Sequence, residues 1–322
     1  MALDQFSIFV LLGQVFAFII FYKVIVFVWI YFIKPSSIQK YSTTVNGKKS
    51  WALVTGASDG IGFETVRSLL NRNFNVVLHG RNPKKLSSKV DALRKEFPNQ
   101  ELAIIVADAT DAVASASKVG SELHELMQKV NGALRVLVNN VGGSNMFGFR
   151  VFHYVAETPE DLIPRIIALN AVFPHTLIRI LLPLLQDSGD PSLIINLGSM
   201  SGLTGFPFVA TYSSSKAANH AFSVALANEM ICSGANVEVI GLIVGDVVSA
   251  GNKWTTTGWG TITSEQMAED ILARVGCGVP ALIGNWIQAL QGAWMDCMPG
   301  FLMEMIKRQV MKQRRAAEDK DL

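Results

Sequence analysis

Trp51-Ala52-Leu53-Val54-Thr55-Gly56-Ala57-Ser58-Asp59-Gly60-Ile61-Gly62 is the stretch that decides the fold. Its first five residues are a short apolar run of the kind that forms a buried strand. A glycine-rich turn follows at once. Beyond it, Ile61, Val66, Leu69 and Leu70 recur at helical spacing. Strand, glycine turn and helix in that order make a phosphate cradle. The glycines permit a tight turn and a close approach of backbone to a pyrophosphate, and the helix start offers free N–H groups and a positive dipole end. The glycine spacing is GxxxGxG rather than GxGxxG.

Working outward, short apolar runs alternate with helical stretches. The pattern predicts strands at 51–55, 75–79, 102–107, 133–139, 192–197 and 237–244. Between them it predicts helices at about 61–73, 83–97, 112–130, 159–186 and 212–232. Such alternation implies an α/β protein, a parallel sheet with helices on both faces. Ligands of such sheets sit at the carboxyl ends of the strands. The glycine turn, Asn139 and Ser199 all fall there, so they can share one cleft.

A second motif lies downstream. In Gly198-Ser199 to Tyr212-Ser213-Ser214-Ser215-Lys216, a serine precedes a tyrosine by thirteen residues and a lysine follows it by four. On a helix, Tyr212 and Lys216 share a face. An ammonium beside a phenol favours the phenolate, which predicts a lowered Tyr212 pKa and a usable proton donor. Tyr and Lys at this spacing occur in many helices; the upstream glycine turn gives the pair its meaning.

Together these motifs resemble the short-chain dehydrogenase/reductase family. Thr55, Gly56, Gly60 and Gly62 match its TGxxxGxG motif, and Asn139-Asn140-Val141-Gly142 matches NNAG with valine for alanine. Asn170 matches the catalytic asparagine, and Ser199, Tyr212 and Lys216 match the catalytic set. Val244-Gly245-Asp246-Val247-Val248-Ser249 stands where PGxVxT is usual, with valine for proline and serine for threonine. The resemblance covers about residues 48 to 300. It implies a Rossmann-type, doubly wound sheet and hydride transfer between a nicotinamide and a ketone carbon. Tyr212 would donate the proton, Lys216 would tune Tyr212 and hold the nicotinamide ribose, Ser199 would bind the carbonyl, and Asn170 would position a relay water. Cofactor contacts are implied at Gly56, Ser58, Asp59, Gly60, Ile61, Gly62, Asp108, Asn140, Tyr212, Lys216 and Val247. A homodimer is implied as well.

The cofactor type is read from the end of the second strand. An acidic residue there would hold the ribose 2′-OH of NAD. The chain instead reads His79-Gly80-Arg81-Asn82, with no Asp or Glu between Glu64 and Asp91. The Arg81 guanidinium suits a 2′-phosphate. NADPH is therefore expected, with reduction as the working direction.

Phe6 to Ile33 is almost wholly apolar, with Gln14 and Lys23 its strongly polar members. That is long enough for a transmembrane helix. A cleaved signal peptide would need a basic start and a small-residue cleavage site. Lys34, Lys40, Lys48 and Lys49 follow the segment and Asp4 precedes it, which places the following domain in the cytosol. Three cysteines without a CxxC fit a reducing compartment. The endoplasmic reticulum membrane, crossed once, is implied by the resemblance. The expected division is an anchor at 1–34, a linker at 35–48, an NADP-binding dehydrogenase domain at 49–284 and an extension at 285–322.

The extension is apolar from Ala281 to Ile306, broken by Pro299-Gly300, then basic from Lys307 to Arg315. This predicts a membrane-associated helical tail over about 285–315, its basic cluster facing anionic lipid. Packing on the dehydrogenase domain is the other reading. Anchor, core and tail together resemble the membrane-bound 3-ketoacyl-CoA reductases of fatty acid elongation and 17β-hydroxysteroid dehydrogenase type 12. The implied reaction is 3-oxoacyl-CoA to 3-hydroxyacyl-CoA. Reduction of a steroid or another lipid ketone, and a non-catalytic membrane scaffold, are the alternatives. Trp254 and Trp259 are expected in a lid over an apolar substrate, and Lys253 is a candidate CoA contact. With 28 basic and 26 acidic residues the chain is not a nucleic-acid binder by charge, and its five scattered histidines predict no metal site.

Overall fold

A computed structural model of the protein describes residues 5–43, 47–144, 147–187, 189–249 and 258–321. From the amino end the elements are α1 (Gln5–Val28), β1 (Lys49–Thr55), α2 (Gly60–Leu70), β2 (Asn75–Gly80), α3 (Pro83–Glu96), β3 (Leu102–Val106) and α4 (Ala112–Lys129). They continue as β4 (Gly132–Asn139), α5 (Leu162–Ile167), α6 (Phe173–Gln186), β5 (Ser192–Ser199), α7 (Ser201–Thr204) and α8 (Ala210–Ser233). The last are β6 (Val237–Val244), β7 (Val247–Val248), β8 (Ile262–Thr263), α9 (Ser264–Ala273), β9 (Ala281–Ile283), α10 (Trp286–Cys297) and α11 (Gly300–Asp321).

Seven strands form one parallel sheet in the order β3-β2-β1-β4-β5-β6-β9. The winding reverses between β1 and β4, which opens a crevice at their carboxyl ends. Every β1 residue from Ser50 to Thr55 is buried, because the sheet is covered on both faces. Ala52 and Val54 point to one face, where Val66 and Leu69 of α2, Val90 of α3 and Ile271 of α9 pack. Trp51 and Leu53 point to the other, against Leu123 of α4, Leu177 of α6 and Leu226 of α8.

Three expectations about elements need correction. The helix expected at 159–186 starts at Leu162 and widens into a π turn at Ala168–Val172. Two side-by-side causes lie in the sequence. Pro174 lacks the N–H that would bond the Asn170 carbonyl in a regular helix, and the Asn170 amide donates to Ile166 O at 2.9 Å. Next, α9 and the edge strand β9 were not anticipated; β9 is three residues long and carries too short a pattern to read. Finally, residues 35–43 are no free linker. Ile38 and Tyr41 are buried in the core, Ser37 N donates to Val275 O at 3.0 Å, and the Tyr41 hydroxyl donates to Glu238 Oε2 at 2.5 Å.

The apolar amino-terminal segment is an exposed helix. Ile8–Ile33 spans 26 residues, none of them buried. At ~1.5 Å per residue this exceeds a ~30 Å hydrocarbon core. A second apolar run, Leu162–Gln186, is half buried and belongs to the domain core.

The tail divides between the two readings: Lys307, Arg314 and Arg315 turn inward, while Arg308 and Lys312 are exposed. Lys307 is buried and donates to the carbonyls of Thr204 (3.1 Å) and Gly205 (3.2 Å), capping the end of α7. Arg314 pairs with Asp246, and Arg315 with Glu157 at 3.1 Å. Glu318 accepts the N–H groups of Val151 (2.6 Å) and Phe152 (2.8 Å), and Arg150 pairs with Asp319 at 2.7 Å. Met311 completes a small core with Phe152 and Val209. The physical reason is that carboxylates and open carbonyls stand opposite Lys307, Arg314 and Arg315.

Candidate active site

The glycine turn is shaped for a close ligand. Gly56 has φ +66°, and a Cβ there would come within 2.9 Å of the Asn140 amide nitrogen. A Cβ on Gly62 would collide with the same amide and with the Gly56 carbonyl. Asn140 braces the turn from below, donating to Thr55 O (2.9 Å) and Gly56 O (3.2 Å). Asp59 caps α2 by accepting from Gly60 N at 2.8 Å. Its carboxyl is held below the usual range, chiefly by the Lys85 ammonium at 2.6 Å. Lys85 thereby offsets a negative charge where a pyrophosphate would otherwise meet it.

The turn opens on a cleft of about 620 Å³. Gly56, Ser58, Asp59, Gly60 and Ile61 line one end of it, with Arg81, Lys85 and Asp108 beside them. Asn140, Val247, Ser199, Tyr212 and Lys216 line the rest. The sequence-predicted residues therefore converge, with two exceptions. Gly62 lies beneath the turn, and Asn170 lies behind the cleft wall.

Tyr212 and Lys216 stand one turn apart near the start of α8, as spaced. The Lys216 ammonium is buried, 5.9 Å from the Tyr212 ring centre, and donates to Leu197 O at 2.9 Å. Burial pulls its pKa down to about 8. The expected lowering of the Tyr212 pKa is overturned: burial pushes the phenol up, and its hydrogen bond with Ser199 pulls the other way. Burial is the larger effect, and the Lys216 ammonium is directed at Leu197 O.

Asn170 is fully engaged. It accepts from Gly143 N (2.9 Å) and donates to Gly143 O (3.0 Å) as well as to Ile166 O. It thus clamps the 142–143 turn against the widened helix. A Cβ on Gly142 would meet Asn170 Oδ1 at 2.7 Å and Lys216 Nζ at 3.0 Å. Gly142 is therefore a site residue by closeness, as Lys85 is by charge. Gln288 is another. It accepts from Gly245 N at 2.9 Å and donates to Asp246 O at 2.9 Å, which fixes the segment after β6. Only Gly142 carried a sequence signal, as part of its motif.

A second cavity of about 550 Å³ shares Gly143, Ser199, Tyr212, Val244 and Gly245 with the first. Its far walls are Met295, Met298, Met303 and Met311 of α10, α11 and their junction, with Phe206 and Trp259. Ser199 and Tyr212 thus stand where a polar cleft meets a methionine-rich chamber that also holds the Arg314–Asp246 pair and Lys307. Trp254 and Lys253 lie outside the described residues.

Residues 50–257 match the short chain dehydrogenase family. The chain belongs to that family. It is similar to proteins named very-long-chain 3-oxoacyl-CoA reductase. The one from Emericella nidulans is 33% identical over 60% of this chain and 53% of its own length. The one from Mycosarcoma maydis is 33% identical over 66% and 58%. The chain thus spans between half and three-fifths of these relatives' lengths. Among solved structures, the NADPH-bound short chain oxidoreductase of Pseudomonas aeruginosa PAO1, described as containing an atypical catalytic center, superposes with a TM-score of 0.61. It is 24% identical, over 72% of this chain and 93% of that one, and shows the fold.

Proposed function

We propose that the protein is a membrane-anchored, NADPH-dependent reductase of 3-oxoacyl thioesters, of the kind that fatty acid elongation requires. The observation that carries this reading is the position of Ser199 and Tyr212 at the junction of the two cavities. One cavity suits a dinucleotide, and the other suits an alkyl chain. The names of the relatives support the substrate class.

The cleft residues fit a nicotinamide dinucleotide. The glycine turn and the start of α2 would receive its pyrophosphate, Asp108 would stand on the adenine side, and Lys216 would hold the ribose beside the nicotinamide. Arg81 follows β2 in a stretch with no Asp or Glu between Glu64 and Asp91, and its guanidinium favours the 2′-phosphate of NADPH. When bound, the cofactor supplies a hydride to the ketone carbon. The chain's own residues do the rest. Ser199 donates a hydrogen bond to the substrate carbonyl oxygen, and Tyr212 delivers the proton that the oxygen takes up. A raised phenol pKa keeps that proton in place until charge develops on the oxygen. Lys216 sits on the path by which Tyr212 regains its proton. Asn170 acts as a positioning residue, because its amide is spent on Gly143 and Ile166; the relay water falls to its main-chain carbonyl, which Pro174 has deprived of an i+4 donor.

The anchor, a single crossing of the endoplasmic reticulum membrane with a cytosolic domain, and pairing of two chains through α6 and α8 remain part of the proposal. The exposed apolar face of α1 supports the first, and exposed Ile167 just before the π turn and Val172 at its end support the last.

The test is NADPH oxidation by detergent-solubilised protein with a long-chain 3-oxoacyl-CoA, beside a 17-ketosteroid. Turnover of the thioester that falls by roughly 10³-fold or more in Tyr212→Phe is expected. Turnover of the steroid alone would move the substrate to another lipid ketone.

A further inference from the structure

The two terminal elements of the chain meet. In the π turn Trp29–Ile33 that follows α1, the Phe32 ring packs on Trp286, centroids 5.6 Å apart. The Tyr31 hydroxyl donates to Ile283 O at 2.5 Å, at the end of β9, and Arg274 donates to Ile30 O at 2.5 Å. The last turn of the apolar segment is therefore bolted to the start of α10.

From that joint an apolar stripe runs along α10. Trp286, Leu290 and Trp294 are four residues apart, so they share one face, and all three are exposed. The stripe continues onto α11 with Phe301 and Met305, again four apart, 78% and 58% exposed. Aromatic and aliphatic side chains laid out this way on a surface helix suit a lipid boundary. Neighbouring positions on these helices and their junction carry Met295, Met298, Met303 and Met311, which wall the cavity ending at Tyr212, with Asp246, Lys307 and Arg314 as its charged members. Trp294 belongs to both the stripe and the cavity wall, and Trp259, 71% exposed, stands across from it. The cavity's outer end thus opens at the stripe. Of the cations of α11, Lys307, Arg314 and Arg315 are turned toward the domain, the first two lining the cavity, whereas Arg308 and Lys312 are exposed and continue the face of Phe301 and Met305, where they suit lipid headgroups.

We propose that the Trp286–Leu290–Trp294–Phe301–Met305 stripe rests on the bilayer and sets the mouth of the methionine-walled cavity at the lipid boundary, so that the cavity fills with an alkyl chain drawn from the membrane. The first half rests on α1 as a membrane span; the second rests on the reductase reading above. The amino-terminal segment then does more than tether. It fixes the height and tilt of the domain through the Phe32–Trp286 and Tyr31–Ile283 contacts.

Two native cysteines provide the probes. Cys297 is exposed in the last turn of α10, three residues past Trp294. Cys232 is exposed at the far end of α8, beyond the amino ends of the strands. The full-length protein is reconstituted in phosphatidylcholine vesicles as Cys277→Ala with either Cys232→Ala or Cys297→Ala. The remaining thiol is labelled with a nitrobenzoxadiazole fluorophore. Nitroxide-labelled phosphatidylcholine should quench the Cys297 label at least about fivefold more strongly than the Cys232 label, because quenching needs contact with lipid. Equal weak quenching at the two sites overturns the proposal. So does a Cys297 label shielded from water yet unquenched, which would place protein on this face. A second variant, Leu290→Glu with Phe301→Glu, changes stripe residues outside the cavity lining. It should cut turnover of a long-chain 3-oxoacyl-CoA by about tenfold and leave a four-carbon, water-soluble one near its original rate. Equal rates for both substrates in that variant overturn the loading route. The quenching contrast in a protein that turns over no 3-oxoacyl thioester supports the membrane face and refutes the substrate assignment alone.

Discussion

Lys216→Met should stabilise the protein at neutral pH while removing its activity. The Lys216 ammonium is buried, and its pKa falls from 10.5 to about 8. A lysine with a lower pKa in the folded chain holds its proton more weakly there. Between about pH 8 and 10.5 the unfolded chain therefore carries more protons, and stability climbs with pH across that window. Below about pH 8 both states are protonated and the full cost of burying the charge is present. At roughly 1.4 kcal/mol per unit, that cost is about 3 kcal/mol. Methionine removes it but forfeits the hydrogen bond to Leu197 O, worth about 1 kcal/mol. Asn219 also donates to that carbonyl, at 3.3 Å, so the oxygen keeps a partner. The net gain is on the order of 2 kcal/mol at pH 7, or roughly 4–8 °C in Tm for a domain of this size. The assay is thermal unfolding of the detergent-solubilised, cofactor-free protein and its variant at about pH 7 and pH 10. The variant should melt higher at pH 7, and the gap should shrink at pH 10. A variant that melts below the parent at pH 7, or a gap that ignores pH, would refute the reasoning.

Other outcomes follow from the same geometry. Arg81→Ala should raise the Kd for NADPH by roughly 10- to 100-fold, the weight of one charged hydrogen bond, and leave NADH within about twofold; titration of nicotinamide fluorescence measures both, and equal losses would remove Arg81 from the 2′-phosphate. Gly62→Ala should destabilise the chain by about 1–3 kcal/mol and weaken cofactor binding, since its new methyl meets the Gly56 carbonyl and the Asn140 amide; calorimetry and the same titration check it. Glu318→Gln leaves Val151 N and Phe152 N with a neutral acceptor, and should loosen α11 by about 1–2 kcal/mol. Limited proteolysis should then cut within 300–321 faster, while the sheet core keeps its resistance.

Much of the site was legible because its signals are local. The glycine turn is set by neighbours within twelve residues, and strand–helix alternation by the apolar period of each segment. The Tyr212–Lys216 pair depends only on helical rise. The tyrosine's titration was not legible in the same way. The pair's spacing announces the ammonium, but the burial of both groups comes from β5, α7 and the wall around them, and it reverses the expected direction. Asn170 shows the same division. Its place in the site could be matched by motif, whereas its engagement with Gly143 required the fold to bring positions 27 residues apart into contact.

The sequence by itself determined the doubly wound sheet, the cradle at Gly56–Gly62, the residues of the proposed catalytic trio and an amino-terminal helix long enough to cross a membrane. Each of these follows from periodicity or from groups close along the chain. The tertiary structure alone decided where the basic tail goes. Lys307, Arg314 and Arg315 look in sequence like a cluster for anionic lipid. Their partners, Thr204, Asp246 and Glu157, are 103, 68 and 158 positions away. A cation's partner is whichever carboxylate or carbonyl the fold places within hydrogen-bond reach, and no local pattern encodes that distance.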